Sequence, residues 1–224
     1  MRKLVQGIHQ FQENIFSSQR ELFERLAAGQ NPDALFVTCS DSRINPNLIT
    51  QTDPGELFIL RNAGNIVPPY GAANGGEGAT IEFAVVGLGV KDIIVCGHSH
   101  CGAIKALLAP DDLRENMPAM RAWLKHAEAT RWIVKEKYAG LRGPDLMSVA
   151  IQENVLAQLD NMRSHPAVAS RLASGQLKLH AWVYKIETGQ VFAYDPERGQ
   201  LQPLSQQPPT PLLAGARIDA IAAI

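Results

Sequence analysis

Two stretches of this chain share one form, and together they leave few folds open. Leu35-Phe-Val-Thr38 is a short run of apolar and β-favouring residues that passes directly into Cys39-Ser-Asp-Ser-Arg43. Ile93-Ile-Val-Cys-Gly97 behaves alike and passes into His98-Ser-His-Cys101-Gly102. A buried strand that stops abruptly at thiols, imidazoles, a carboxylate or a guanidinium delivers polar chemistry to the edge of a sheet. Before the second strand lies a helical apolar pattern over 79–89 (Ala79, Ile81, Phe83, Ala84, Val86, Leu88), which gives a strand–helix–strand crossover. Such a crossover makes parallel pairing with helices packed on the sheet the expected arrangement. The fold class is therefore α/β, with a central, mainly parallel sheet flanked by helices.

The rest of the chain extends that plan. Residues 1–28 read as helical in two pieces, with Leu4, Ile8, Phe11 and Ile15 on one face and Leu22, Phe23 and Leu26 on another. Ser17 and Ser18 offer caps for the second piece and Gly29 an end. A helical arm (1–29) with apolar faces on two pieces must lie against its own domain or a partner subunit, and packing on a partner is the expectation. Asn45-Pro46 suits a helix start, and Glu56-Leu-Phe-Ile-Leu60 is a short strand that runs into Arg61-Asn-Ala-Gly-Asn65. The glycines of 71–78 superficially suggest a phosphate-cradling loop. They lack the Lys-Ser/Thr of a P-loop and the strand-adjacent spacing of a dinucleotide fingerprint, so they read as a turn leading into a helix. Helices are expected over 119–138 and 145–163, a strand over Leu177–Tyr184, and a hairpin partner over Gln190–Tyr194. From 202 to 224 the chain is Pro-rich and then apolar, a tail that could dock on this or another subunit. No repeat or second domain is visible, so 1–224 reads as one domain.

Composition removes several classes. At 224 residues the chain can build a substantial core without disulfides. A net charge of −1, from 21 basic and 22 acidic residues without long single-sign runs, gives no sign of a nucleic-acid partner. Three cysteines, in or just after strand-like runs, speak for a reducing compartment rather than a disulfide framework. The N-terminus lacks a signal-peptide pattern. The most apolar segment, Ile81–Val90, falls well short of the ~18 residues of a membrane span. A soluble, cytoplasmic protein is expected.

The two polar strand ends together suggest a metal. Zinc prefers thiolate and imidazole ligands, and a catalytic zinc keeps three protein ligands with a fourth position open. His98-x-x-Cys101 can grip one ion from a strand end and the next helical turn. Cys39, from a neighbouring strand end, supplies the third ligand. Asp41 and Arg43 sit beside it and control what else binds. Cys96, two residues before His98, reads as a small core residue. His100 should face solvent, with a proton-relay role left open, while His9, His126, His165 and His180 are isolated and ordinary.

With these residues in place, a resemblance emerges. Cys39-Ser-Asp-Ser-Arg43, Arg61-Asn62 with Pro68-Pro69-Tyr70, and Gly97-His-Ser-His-Cys-Gly102 closely resemble the β-class carbonic anhydrases over about Gln30 to Tyr184. The form Gly-His-Ser-His-Cys-Gly-Ala is similar to the cyanobacterial carboxysomal branch. The resemblance implies a zinc enzyme, one ion per subunit, that hydrates carbon dioxide reversibly to bicarbonate by attack of zinc-bound hydroxide and supports carbon fixation. It implies that Cys39, His98 and Cys101 bind zinc, and that Asp41, paired with Arg43, accepts a hydrogen bond from the hydroxide. Gln30 matches a glutamine that bonds substrate, and the Gly102 amide lies nearby. Phe58 and Phe83 match aromatic positions lining the apolar pocket, partly from the neighbouring subunit. The resemblance further implies a homodimer at minimum, often a higher homo-oligomer, and a carboxysomal setting with shell or scaffold partners. Phe36 stands where the bicarbonate-inhibited subset carries Trp, so an open site without Asp41 on the metal is expected.

Three other readings compete. A carbon disulfide or carbonyl sulfide hydrolase would use the same hydroxide. A zinc-stabilised scaffold would not need Gln30, Asp41 or Arg43. Thiol redox chemistry through Cys101 would need a metal-free thiolate.

Overall fold

The computed structural model describes residues 1–72, 75–110, 113, 116–205 and 210–212. A six-stranded sheet in the order β2-β1-β3-β4-β5-β6 forms its centre. The strands are β1 (Ala34–Cys39), β2 (Leu57–Asn62), β3 (Asp92–His98), β4 (Lys178–Tyr184), β5 (Val191–Asp195) and β6 (Gln200–Pro203). β1, β2, β3 and β4 pair in parallel, while β5 and β6 close the far edge in antiparallel fashion. β2 lies on one side of β1 and β3 on the other, so strand order reverses at β1. In open α/β sheets such a reversal opens a crevice beyond the carboxyl ends of the strands. Cys39 ends β1 and His98 ends β3, so both residues stand at that crevice.

All of β1 and nearly all of β3 are buried. This accounts for their continuous apolar runs, since a parallel strand covered on both faces needs no alternation. The principal cover is α8 (Gly143–Arg163), whose residues from Val149 to Leu159 are almost all buried. β3 runs unusually close to it. A Cβ on Gly97 would stand 2.8 Å from Val155 Cγ1 and 3.2 Å from Ile151 Cγ2, so only glycine permits this approach. The opposite face of the sheet carries a small cluster of Ala34, Phe36, Ile94 and Cys96, edged by half-buried Leu57, Ile59, Trp182 and Tyr184.

The remaining helices are α1 (Arg2–Gln10), α2 (Arg20–Ala28), α3 (Pro46–Thr50), α4 (Gly76–Glu82), α5 (Gly102–Leu108), α6 (Pro118–Leu124), α7 (Glu128–Lys137) and α9 (Pro166–Ala173). Asn45 caps α3 by accepting from the Leu48 amide, with Pro46 in the first turn as expected. Several sequence expectations need correction. Ser17 and Ser18 do not cap α2; their hydroxyls donate back to Glu13 and Ile15 carbonyls of the preceding π-helical turn, 11–16. The 79–89 helix begins earlier, at Gly76, and passes into a π-helical turn over Phe83–Gly87. The single helix expected over 119–138 is two, α6 and α7, joined by a 3₁₀ turn over Lys125–Ala127. α9 and β6 carry no strong periodic signal and were missed.

No residue of α1, the π-helical turn or α2 is buried within one chain; Leu4, Ile8, Phe11 and Ile15 all stand exposed. Of the C-terminal tail, Leu212 is buried and pairs with Leu179 on the stretch of β4 that β5 does not reach. Leu213 to Ile224 lie outside the described residues. No helix among the described residues is long and apolar enough to cross a membrane.

Candidate metal centre

Three elements bring three soft or borderline ligands together. Cys39 comes from the end of β1, His98 from the end of β3, and Cys101 from the residue that opens α5. Their ligating atoms all lie within 4.8 Å of one another, and all three residues are buried. The two sulfurs are 3.9 Å apart. Two thiolates at a Zn–S distance of ~2.3 Å and a tetrahedral angle would stand about 3.8 Å apart, so the spacing fits zinc without adjustment.

The imidazole is prepared for the same task. His98 Nδ1 lies 2.8 Å from the Ser99 carbonyl oxygen, which can only accept, so Nδ1 carries the proton. Nε2 is left with its lone pair, is fully buried, and has no hydrogen-bond partner. A buried imidazole nitrogen without a partner is costly unless something else satisfies it. A metal ion held with Cys39 and Cys101 would do so, and the donor set fits zinc.

The thiols show the strain of sharing a small space. The Cys39 thiol is drawn well below its ordinary range, first by the Cys101 thiol and also by the Gly64 and Asp41 amides. The Cys101 thiol is pushed up by the hydrogen bond to Cys39 and by burial, although the Ala103 and Ile104 amides favour its thiolate. A dication held between the two sulfurs would take both as thiolates. Cys96, by contrast, is wholly buried and raised to about 12 by desolvation, a core thiol as expected.

Asp41 stands at the mouth of this cluster. Arg43 grips both its oxygens, Nε donating to Oδ1 at 2.9 Å and Nη2 to Oδ2 at 2.7 Å, while the Arg43 amide also donates to Oδ1 at 3.0 Å. That fork holds the Asp41 carboxyl well below the usual carboxylate range. Arg43 is tied in turn to the His100 carbonyl at 3.2 Å, which joins the β1 end to the β3 end. His100 itself points outward at positive φ, with its ring 3.5 Å from Glu187.

Supporting residues appear that motif reading did not assign. Arg61 donates from Nε to the Cys39 carbonyl and from Nη2 to the Asp41 carbonyl, clamping the segment from outside. Asn62 closes a small loop by donating to the Ile66 carbonyl and accepting from the Ile66 amide. From the next turn, the Gly64 amide donates to Cys39 Sγ at 3.3 Å. A polar stripe on α8 holds the continuation of that loop. Asn154 donates to Gly64 O, Gln158 accepts from Val67 N, Asn161 donates to Val67 O, and His165, just beyond the helix, donates to Pro68 O. The Arg61-Asn62 pair after a strand was a visible signal. The α8 stripe was not, because Asn and Gln four apart on a helix look like any wet face.

Of the other expected site residues, Gln30, Phe58 and Phe83 are not gathered here. Phe58 pairs with Leu35, four residues before Cys39, which puts it roughly 13 Å back along the sheet at ~3.3 Å per residue. Phe83 packs against Phe58, ring centroids 5.9 Å apart, and is half-exposed. Gln30 is exposed and precedes β1 at its amino end. Gly102 is exposed in the first turn of α5, next to Cys101.

Known proteins arrange themselves around this chain consistently. The family profile described as "Carbonic anhydrase" matches residues 34–191. A carbonic anhydrase of Synechocystis is 57% identical over 195 residues, covering 87% of this chain and 71% of its own. One from Pseudomonas aeruginosa is 44% identical over 222 residues, covering 99% of this chain and all of its own. Among solved structures, the β-carbonic anhydrase CcaA superposes with a TM-score of 0.90 at 54% identity, covering 91% of this chain and 99% of its own. One of two tetrameric β-carbonic anhydrases from Sordaria macrospora superposes with a TM-score of 0.77 at 28% identity, covering 86% of this chain and 95% of its own.

Proposed function

Since the chain belongs to the β-class carbonic anhydrase family, whose members interconvert carbon dioxide and bicarbonate, we propose that Cys39, His98 and Cys101 hold one Zn²⁺ per subunit and that Asp41 and Arg43 direct the reaction beside it. The single observation that carries this reading is the buried, partnerless Nε2 of His98 facing two thiol sulfurs. When bound, zinc supplies a Lewis acid that makes hydroxide available near neutral pH.

The chain's own groups do the rest. Ionised Asp41 is an acceptor only, and with its Oδ2 3.9 Å from His98 Nε2 it stands where it would accept a hydrogen bond from an attacking hydroxide and so turn a lone pair toward the carbon. Arg43 fixes both carboxylate oxygens and keeps that acceptor from swinging inward. The Gly102 amide, beside Cys101, offers a donor for a substrate oxygen.

The second half of the pocket is assigned to a second copy. Gln30, Phe58 and Phe83 lie toward the amino-terminal side of the sheet, and a separation of roughly 13 Å along β1 keeps Phe58 from serving the triad of its own chain. A neighbouring subunit presenting these residues would supply an amide to the substrate and apolar walls that exclude water. The helical arm, none of whose residues is buried within one chain, and the half-buried sheet face of Leu57, Ile59, Trp182 and Tyr184 are surfaces such a homodimer would cover. The tetrameric relative from Sordaria makes further assembly reasonable. Kinship with the Synechocystis and Synechococcus enzymes supports a role in inorganic-carbon supply for carbon fixation, in the cytoplasm or a carboxysome.

The test is direct. Purified protein should contain one zinc per chain and hydrate carbon dioxide; Cys39→Ser should lose both. Retained metal with unchanged hydration in Cys39→Ser would remove the assignment.

A further inference from the structure

The peptide unit joining Ala63 to Gly64 works in two directions. Its N–H donates to Cys39 Sγ at 3.3 Å, and its carbonyl oxygen, on Ala63, accepts from Trp123 Nε1 at 2.8 Å. The indole, the peptide and the sulfur therefore form one unbroken chain of hydrogen bonds, N–H to O=C–N–H to S. Hydrogen bonds in series polarise one another. An amide whose carbonyl accepts a bond becomes a stronger donor through its N–H. The unit is also fixed in place, because Gly64 takes φ +84 and its own carbonyl accepts from buried Asn154 at 3.1 Å.

Trp123 belongs to α6, far in sequence from every strand-end motif, and its ring is held by packing on the core and an edge contact with His126. Neither that packing nor that contact needs the indole nitrogen to point at Ala63. A thiolate that receives a stronger N–H bond donates less charge to a metal. We propose that Trp123 is a positioning residue of the metal centre, acting through the Ala63–Gly64 peptide to set how much charge the Cys39 sulfur gives to the bound cation. This rests on the assignment of Cys39 as a metal ligand.

The experiment uses cobalt(II)-loaded full-length protein, in which the sulfur-to-cobalt charge-transfer band reports the electron richness of the thiolates. Trp123→Phe keeps an aromatic ring and removes the donor. It should move the band to lower energy, whereas Val134→Ala, a buried core truncation on α7 with no polar group to join these hydrogen bonds, should leave it in place. A band that ignores Trp123→Phe, or that moves equally in Val134→Ala, overturns the inference. A second measurement needs no variant at this position. With ¹⁵N-labelled indoles, adding zinc to metal-free protein should shift the Trp123 signal and leave that of exposed Trp132 fixed; an unmoved Trp123 signal overturns the inference equally. Wild-type protein that binds neither zinc nor cobalt removes the metal-site reading and this inference together. Wild type that loads cobalt, with a band that Trp123→Phe leaves unmoved, removes this inference alone.

Discussion

Oδ2 of Asp41 stands 3.9 Å from Nε2 of His98, close to the atom that would ligate a metal, yet Arg43 holds both carboxylate oxygens. Arg43 is about half-exposed, so the worth of its pair with Asp41 lies in aiming the carboxylate rather than in stabilising the fold. Arg43→Gln should free the carboxylate to approach the metal position and lower hydration kcat/KM at neutral pH by about 10–100-fold, with little change in Tm. Stopped-flow hydration assays with a thermal melt check both halves. Full activity in Arg43→Gln would show that Asp41 needs no fork to stay in place.

The charge of the ligand set fixes the direction of the pH profile. Two thiolates cancel the charge of a dication, so bound water is acidified less than at a three-histidine site, and the hydration rate should climb as pH rises above neutrality. Asp41 adds no limb to that curve, because Arg43 keeps it ionised far below this range. A rate flat from acid to alkaline pH would contradict the ligand set.

Metal removal should distinguish Cys39 from Cys96. Burial holds the Cys96 thiol near 12, while the Cys39 thiol is drawn down by its neighbours. In chelator-treated protein near neutral pH, alkylation at Cys39 should therefore outpace Cys96 by at least about tenfold. Added zinc should suppress it. Peptide mass spectrometry after timed alkylation gives the rates.

Gly97→Ala probes the seat of the metal site. The added methyl would meet Val155 at 2.8 Å and Ile151 at 3.2 Å, forcing β3 and α8 apart. A destabilisation of about 1–3 kcal/mol is expected, read as a fall in denaturation midpoint, with weaker zinc retention because His98 is the next residue.

Removing residues 1–19 should lower the oligomer size in sedimentation, since the exposed Leu4, Ile8, Phe11 and Ile15 would then leave a partner uncovered. Hydration should fall with dilution in parallel, if Phe83 and Gln30 serve a neighbouring triad. A truncated chain of unchanged mass and activity would return the arm to a merely peripheral role.

Much of this molecule could be read before any coordinates. β1 and β3 announced themselves because a doubly covered parallel strand is apolar throughout, and the abrupt change to Cys39 and His98 marked where the sheet ends. The Asp41–Arg43 pair was legible because two residues of opposite charge, two apart, follow a strand end. What stayed hidden was tertiary. The break between α6 and α7 has no proline or glycine to signal it, and Trp123 contributes through a backbone carbonyl that no motif encodes. Ser17 and Ser18 misled because a hydroxyl near a helix start can equally serve the helix before it.

The hydrogen bonds that Asn154, Gln158 and Asn161 of α8, with His165 beyond it, make to the 64–68 segment all go to main-chain atoms. Such a helix is a mould for a path, indifferent to the side chains that travel along it. Substitutions at Ile66 or Val67 can therefore be absorbed as ordinary packing changes while the strand-end thiol keeps its amide donor. Alterations to the mould itself displace that donor without touching a ligand. Divergent descendants of this sequence should vary Ile66 and Val67 more freely than the helix residues that hold their main chain.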